Sequence, residues 1–167
     1  MKPKCLMNGH TDEIYSPPEA LNTLLPFIKT EWIILEAAYG EGHLANNLFD
    51  CGYNVIGYKS FDFLKSNVID GYDIIVTNPP YSLKTKFIKK CYDIGKPFAL
   101  LLPLTALEGK ERGALYDKYG IELLIPNKRI NFITPKYKDG KNSSSWFQTA
   151  WFCWKLNLPQ QLNFIKV

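Results

Sequence analysis

The run Asp73-Ile74-Ile75-Val76-Thr77-Asn78-Pro79-Pro80-Tyr81 constrains the fold more than any other part of this chain. Its first part, residues 72–77, is rich in β-branched residues and apolar on both faces. Such a strand has no face to give to water and belongs inside a sheet covered on two sides. The two prolines that follow end it, because proline has no N–H to donate to a ladder. Comparable short apolar runs recur at 32–35, 54–58, 98–102 (stopped by Pro103) and 121–125.

Helical patterns alternate with these runs. Pro17, Pro18 and Glu19 open one, with Leu21, Leu24, Leu25 and Ile28 on a common face and Pro26 marking its end or a bend. Others are expected over 43–50 (closed by Cys51-Gly52), 82–94 and 105–119 (capped by Gly120). Residues 130–134 and 149–155 read as extended, 61–64 as short and ambiguous, and 135–145 as a polar, basic, mobile loop. Alternating strand and helix predict an α/β fold: a doubly wound, largely parallel, Rossmann-like sheet with helices on both faces and a C-terminal antiparallel strand. In such folds ligands lie at the carboxyl ends of the strands, here 36–42, 59–63, 78–81 and 103–105.

With 167 residues, 46% of them hydrophobic, the chain suits a single domain spanning 1–167 with a real core. No apolar run approaches bilayer length, and residues 1–10 lack the apolar centre of a secretory signal, so a cytoplasmic protein is expected. Cys5, Cys51, Cys91 and Cys153 are far apart and the histidines are two, His10 and His43, so neither a zinc site nor a disulfide scaffold is expected. A formal charge of +4 is compatible with a polyanionic partner.

Two stretches carry chemistry. Glu36-Ala37-Ala38-Tyr39-Gly40-Glu41-Gly42 follows a strand and precedes a helix; its glycines permit a tight turn and close approach of backbone to a ligand, and an acid at the strand tip binds an amine or hydroxyl. In Asn78-Pro79-Pro80-Tyr81 the Asn78 side-chain carbonyl and the Pro79 backbone carbonyl are two fixed acceptors, and Tyr81 is an aromatic ring beside them. Acceptors beside a ring suit a planar group bearing an exocyclic amine.

The order and spacing resemble the S-adenosylmethionine-dependent amino-methyltransferases, most closely the DNA adenine-N6 methyltransferases. Asn78-Pro79-Pro80-Tyr81 resembles their catalytic motif and 36–42 (Glu36, Ala37, Gly40 and Gly42) their cofactor loop. Asp62-Phe63 is similar to the acidic residue and neighbour that contact the cofactor's adenine, and Tyr15-Ser16-Pro17-Pro18 to the segment around its methionine end. The chain departs from the pattern at Tyr39, which crowds the loop, and at Lys59, near where the family carries an acid for the ribose hydroxyls.

The resemblance implies S-adenosylmethionine as cofactor, adenine N6 in DNA as methyl acceptor, and Asn78, Pro79, Pro80 and Tyr81 as catalytic residues, with Asn78 also touching the cofactor. Single-stranded or distorted duplex DNA avoids the cost of flipping the base. The basic loop bearing Lys136, Lys138 and Lys141, with Trp146 beside it, is the candidate nucleic-acid contact, and Lys128 and Arg129 lie nearby. No separate target-recognition domain is expected, which leaves specificity loose or supplied by a protein partner. RNA adenine and protein glutamine present a similar planar NH2 and are the alternative substrates; a degenerate fold acting as a binding subunit is the non-enzymatic alternative.

Overall fold

The computed structural model describes residues 5–6, 10–11, 15–67, 70–132 and 147–167. Strands β1 (Cys5–Leu6) and β2 (His10–Thr11) form a small antiparallel pair, followed by helix α1 (Pro18–Asn22) and a 3-10 turn at Leu25–Phe27. Then come β3 (Ile33–Leu35), α2 (His43–Asp50), β4 (Asn54–Ile56), β5 (Ile74–Thr77), α3 (Lys84–Ile94), β6 (Phe98–Pro103), α4 (Lys110–Tyr119), β7 (Glu122–Pro126), β8 (Thr149–Trp154) and β9 (Leu162–Ile165).

The main sheet has seven strands in the order β4-β3-β5-β6-β8-β7-β9. Neighbours run parallel except around β8, which is antiparallel to both β6 and β7. This is the doubly wound, Rossmann-like sheet expected from the alternation of elements. β5 and β6 are buried at every position, and successive residues feed opposite cores. Ile74, Val76, Ala99 and Leu101 face a core covered by α1 and α2; Ile75, Phe98, Leu100 and Leu102 face one covered by α3 and α4. Trp151 of β8, fully buried, pairs in register with Leu101 and Leu124, and its indole N–H donates to the Ala20 carbonyl of α1 at 2.9 Å.

Four expectations are corrected. The helix foreseen at 105–119 is broken into a 3-10 turn at Leu104–Leu107 and α4, since Arg112 folds back to donate to the carbonyls of Ala106 and Glu108 and to the Thr85 hydroxyl. Its guanidinium lies where a side chain on Gly109 would stand. Ile130 and Phe132 are buried without joining the sheet, whereas residues 133–134 lie outside the described residues. β6 takes in Pro103, whose partner is Thr149; this is beyond the last β5 pairing, Thr77 with Leu100, where no donor toward β5 is required. β9 is an additional strand, parallel to β7, reached through Lys155 and Asn157 in left-handed conformation. Glu122 fixes that connection by accepting the amides of Leu156 and Leu158 at 3.1 and 2.7 Å.

Candidate active site

The parallel strands deliver their carboxyl ends to one edge of the sheet, and a cleft of about 620 Å³ opens there. That volume is within the range of small-molecule sites, roughly 300–1,000 Å³. Of the residues singled out in the sequence, Tyr15, Ser16, Glu36, Ala37, Gly40, Asp62, Phe63, Asn78 and Pro80 line it. Pro17, Gly42, Pro79 and Tyr81 adjoin these residues in the chain without being part of the lining, and Lys136, Lys138, Lys141 and Trp146 lie outside the described residues.

Glu36 follows β3 and is 1% exposed. Its amide continues the ladder to the Ile56 carbonyl, while its Oε1 accepts the Thr77 hydroxyl and, at 2.9 Å, the Ala38 amide. Burial pushes the carboxyl up to about 7, against these two hydrogen bonds, which favour the ionised form. The carboxyl is thus poised near neutrality in the wall of the cleft.

The glycine loop is shaped around Tyr39. A side chain on Gly42, where φ is +82°, would come within 2.9 Å of the Tyr39 hydroxyl, and one on Gly57 within 3.0 Å of both the Tyr39 ring and the Glu36 carbonyl. The crowding foreseen at Tyr39 is thus accommodated by two glycines, one of them on the neighbouring strand's exit. On the same side, the Tyr15 ring stacks on His43 with centroids 4.6 Å apart, and Asn47 of α2 donates to the Ser16 carbonyl at 3.2 Å. The Ser16 hydroxyl is buried with no hydrogen-bond partner among the described residues.

The other side is aromatic. Phe63 stacks on Phe87 of α3 at 5.2 Å and meets Phe61 edge-on at 6.4 Å. Lys90 secures this wall from below: its ammonium donates to the carbonyls of Phe63 and Ser66 and lies 5.0 Å from the Phe63 ring centre. Asp62 Oδ1 accepts the Leu64 and Lys65 amides, and its Oδ2 pairs with Lys65 at 3.2 Å, which together hold its carboxyl below the usual range.

Asn78 leaves β5 between the two sides. Pro80 starts a tight turn, its carbonyl accepting the Leu83 amide at 2.8 Å, and this carries the chain into α3. Tyr81 is 4% exposed; its ring meets Phe147, which enters β8, at 79° and 5.8 Å, and its carbonyl accepts Lys84 at 3.1 Å. The ring expected to offer a stacking face is therefore covered in this conformation. Sequence reasoning did not find Thr77, Lys90 or the Lys59–Glu41 contact at 2.6 Å. The one signal present was a hydroxyl residue, Thr77, closing an otherwise apolar strand.

Among the described residues no cluster of His, Cys, Asp and Glu is placed to hold a metal ion, and no helix is long and apolar enough to cross a membrane. No protein-family model and no curated protein matches the sequence. Solved structures do match in fold. Over 84% of its length the chain is similar to a modification subunit of a putative type I restriction enzyme from Vibrio vulnificus YJ016, with a TM-score of 0.54 and 13% identity. Over 93% it is similar to a putative class I S-adenosylmethionine-dependent methyltransferase from Listeria monocytogenes, with a TM-score of 0.55 and 11% identity. The chain spans 44% of the first protein and 66% of the second. At these identities the likeness is one of fold alone.

Proposed function

We propose that the cleft binds S-adenosylmethionine and that the chain transfers its methyl group to the exocyclic N6 amine of adenine in DNA. One observation carries the reading: a single cleft is lined by the buried acid of the glycine loop, Glu36, and by the acceptor of the Asn-Pro-Pro-Tyr turn, Asn78. The residues fit the cofactor. Glu36 and the orphaned Ser16 hydroxyl suit an amino-acid end, and Phe61, Phe63 and Pro80 suit a purine. Bound there, S-adenosylmethionine supplies an electrophilic methyl group on a positively charged sulfur.

The chain's own contribution is positioning. An adenine amine is a weak nucleophile because its lone pair is delocalised into the ring. Hydrogen bonds from that amine to the Asn78 side-chain oxygen and the Pro79 carbonyl localise the lone pair on nitrogen. Both acceptors are fixed in advance, Pro79 by its ring and Asn78 by the end of β5, so little reorganisation accompanies the reaction. No strong base is needed. Tyr81 holds the target base after Phe147 gives way; Lys128 and Arg129, exposed after β7 on the same edge of the sheet, contact phosphates together with Lys136, Lys138 and Lys141, and Trp146 stacks on a base.

Calorimetric titration with S-adenosylmethionine, followed by labelled-methyl transfer to single- and double-stranded DNA, tests this. Micromolar binding and labelled N6-methyladenine are expected. Label in RNA or in protein glutamine overturns the substrate, and no binding up to millimolar overturns the cofactor in favour of a binding subunit.

A further inference from the structure

Among the described residues the exposed large apolar side chains are Phe49, Tyr58, Leu107, Leu162 and Phe164. The first three have an acid close by. Asp50 follows Phe49, Glu108 follows Leu107, and Glu41 meets the Lys59 that follows Tyr58. The last two differ. Exposure alternates along 162–167, so Leu162, Phe164 and Lys166 share the outer face of β9, where Phe164 is 75% exposed. β9 runs parallel to β7 and ends on the edge of the sheet where the cleft opens. There Asn127 clamps the two strand ends together: its amide donates to the Ile165 carbonyl at 2.8 Å, and its Oδ1 accepts the Val167 amide at 3.1 Å. The clamp brings Lys166 to the corner that carries Lys128 and Arg129, all three exposed. The segments that meet at this corner, 127–132 and 159–167, contain no acid. Among the described residues Lys128 and Lys166 make no ion pair.

An exposed ring beside uncompensated cations complements a nucleic-acid strand: a base stacks on the ring and phosphates meet the cations. We propose that the outer face of β9 is a second nucleic-acid contact, with Phe164 stacking on a base and Lys166, beside Lys128 and Arg129, meeting the phosphates next to it. This rests on the reading that the cleft takes an adenine of DNA, and it gives a role to a strand that lies away from the cleft. Four strand spacings separate β9 from β5, about 19 Å at about 4.8 Å each. A stacked strand, with about 3.4 Å between phosphates, covers that distance in roughly six nucleotides. A substrate therefore reaches Phe164 only if it extends about that far from its target adenine.

The test is fluorescence-anisotropy titration of the full chain with two labelled single-stranded oligonucleotides of thymidine, each with one central adenine. One, about fifteen nucleotides long, reaches β9; the other, about five long, does not. Phe164→Ala is expected to melt like wild type and to keep its S-adenosylmethionine affinity. It is expected to bind the longer oligonucleotide about ten-fold more weakly and the shorter one within about two-fold of wild type. Lys166→Gln is expected to reduce the slope of log affinity against log salt by about 0.7, on the longer oligonucleotide alone. Unchanged affinity of Phe164→Ala for the longer oligonucleotide, or an equal loss on both lengths, overturns the β9 contact and leaves the cofactor and substrate reading intact. A dimer that Phe164→Asp dissolves, with oligonucleotide affinity unchanged, assigns the face to a second copy and overturns the contact as well. Wild-type protein that binds neither oligonucleotide overturns the nucleic-acid reading itself.

Discussion

The Thr77 hydroxyl, at the last position of β5, donates to the Glu36 carboxylate, at the first position after β3. The Ala38 amide reaches both groups, at 3.0 Å to Thr77 Oγ1 and 2.9 Å to Glu36 Oε1, so the glycine loop and the strand that presents Asn78 are joined by a closed triangle. The acid of the glycine loop and the start of the Asn-Pro-Pro-Tyr turn are thus set by the same three residues.

The protonation of Glu36 gives the first prediction. Its folded-state pKa, about 7, lies above the ordinary 4.5, so the folded protein holds a proton that the unfolded chain releases. That stabilisation is complete below pH 4.5 and is lost as the pH rises to 7, a total of about 3 kcal/mol. In Glu36→Gln the melting temperature of the ligand-free protein is expected to lose this decline and to exceed wild type at pH 8. A cationic ligand favours the carboxylate, so calorimetry in buffers of different ionisation enthalpy is expected to record proton release when S-adenosylmethionine binds near pH 6.5. Identical pH profiles for wild type and Glu36→Gln would exclude the assignment.

In the proposed reaction Asn78 accepts a hydrogen bond from the amine. Asn78→Ala is expected to lower methyl transfer by about 100-fold or more, the scale of losing a preorganised acceptor. S-adenosylmethionine affinity is expected to stay within about five-fold, since a single contact of the cleft is lost. Single-turnover transfer with bound cofactor measures the first and calorimetry the second. Retained transfer would remove Asn78 from the mechanism.

Lys90 reaches the cleft only through the loop it holds. Replacing it with Met frees the Phe63 and Ser66 carbonyls and lets the aromatic wall move. The expected outcome is about a ten-fold rise in the cofactor dissociation constant with the saturated rate unchanged, as befits a loss of about 1.4 kcal/mol in binding alone. Lys90→Arg is expected to recover part of the affinity. A fall in the saturated rate at unchanged affinity would contradict a positioning role.

Glu122 lies far from the cleft, and its two hydrogen bonds hold the turn into β9. Glu122→Ala is expected to cost about 1–3 kcal/mol in urea unfolding, with specific activity of the folded protein unchanged. Glu122→Gln keeps one acceptor and is expected to cost less. A destabilisation that leaves β9 protected from hydrogen exchange would show that the turn does not depend on Glu122.

The parts of this molecule legible in its sequence are those whose environment is uniform along the chain. β5 and β6 are buried on both faces, and their runs of apolar residues say so. Asn78 and the glycine loop could be placed because a strand before and a helix after fix which edge of the sheet they occupy. What escaped depends on partners distant in sequence. β9 alternates exposed and half-buried positions, but it puts Leu162 and Phe164 on the exposed ones, so its hydrophobic residues do not mark its buried face. Tyr39 reads as crowding until Gly57 is beside it, and the Lys59–Glu41 contact joins residues eighteen apart. The division of the helix at 105–119 turns on Arg112 reaching back to Ala106 and across to Thr85.

The bond from Trp151 to the Ala20 carbonyl spans 131 residues and ties β8 to the helix that carries Ser16 into the cleft. It also sets a timetable. On a chain made from its N-terminus at about 5–20 residues per second, the loop after β3 and the turn after β5 are available early. The segment bearing Tyr15 and Ser16 gains its buttress only when β8 has slotted between β6 and β7. A nascent chain made only as far as the segment before β8 therefore carries the glycine loop and the Asn-Pro-Pro-Tyr turn but lacks this buttress.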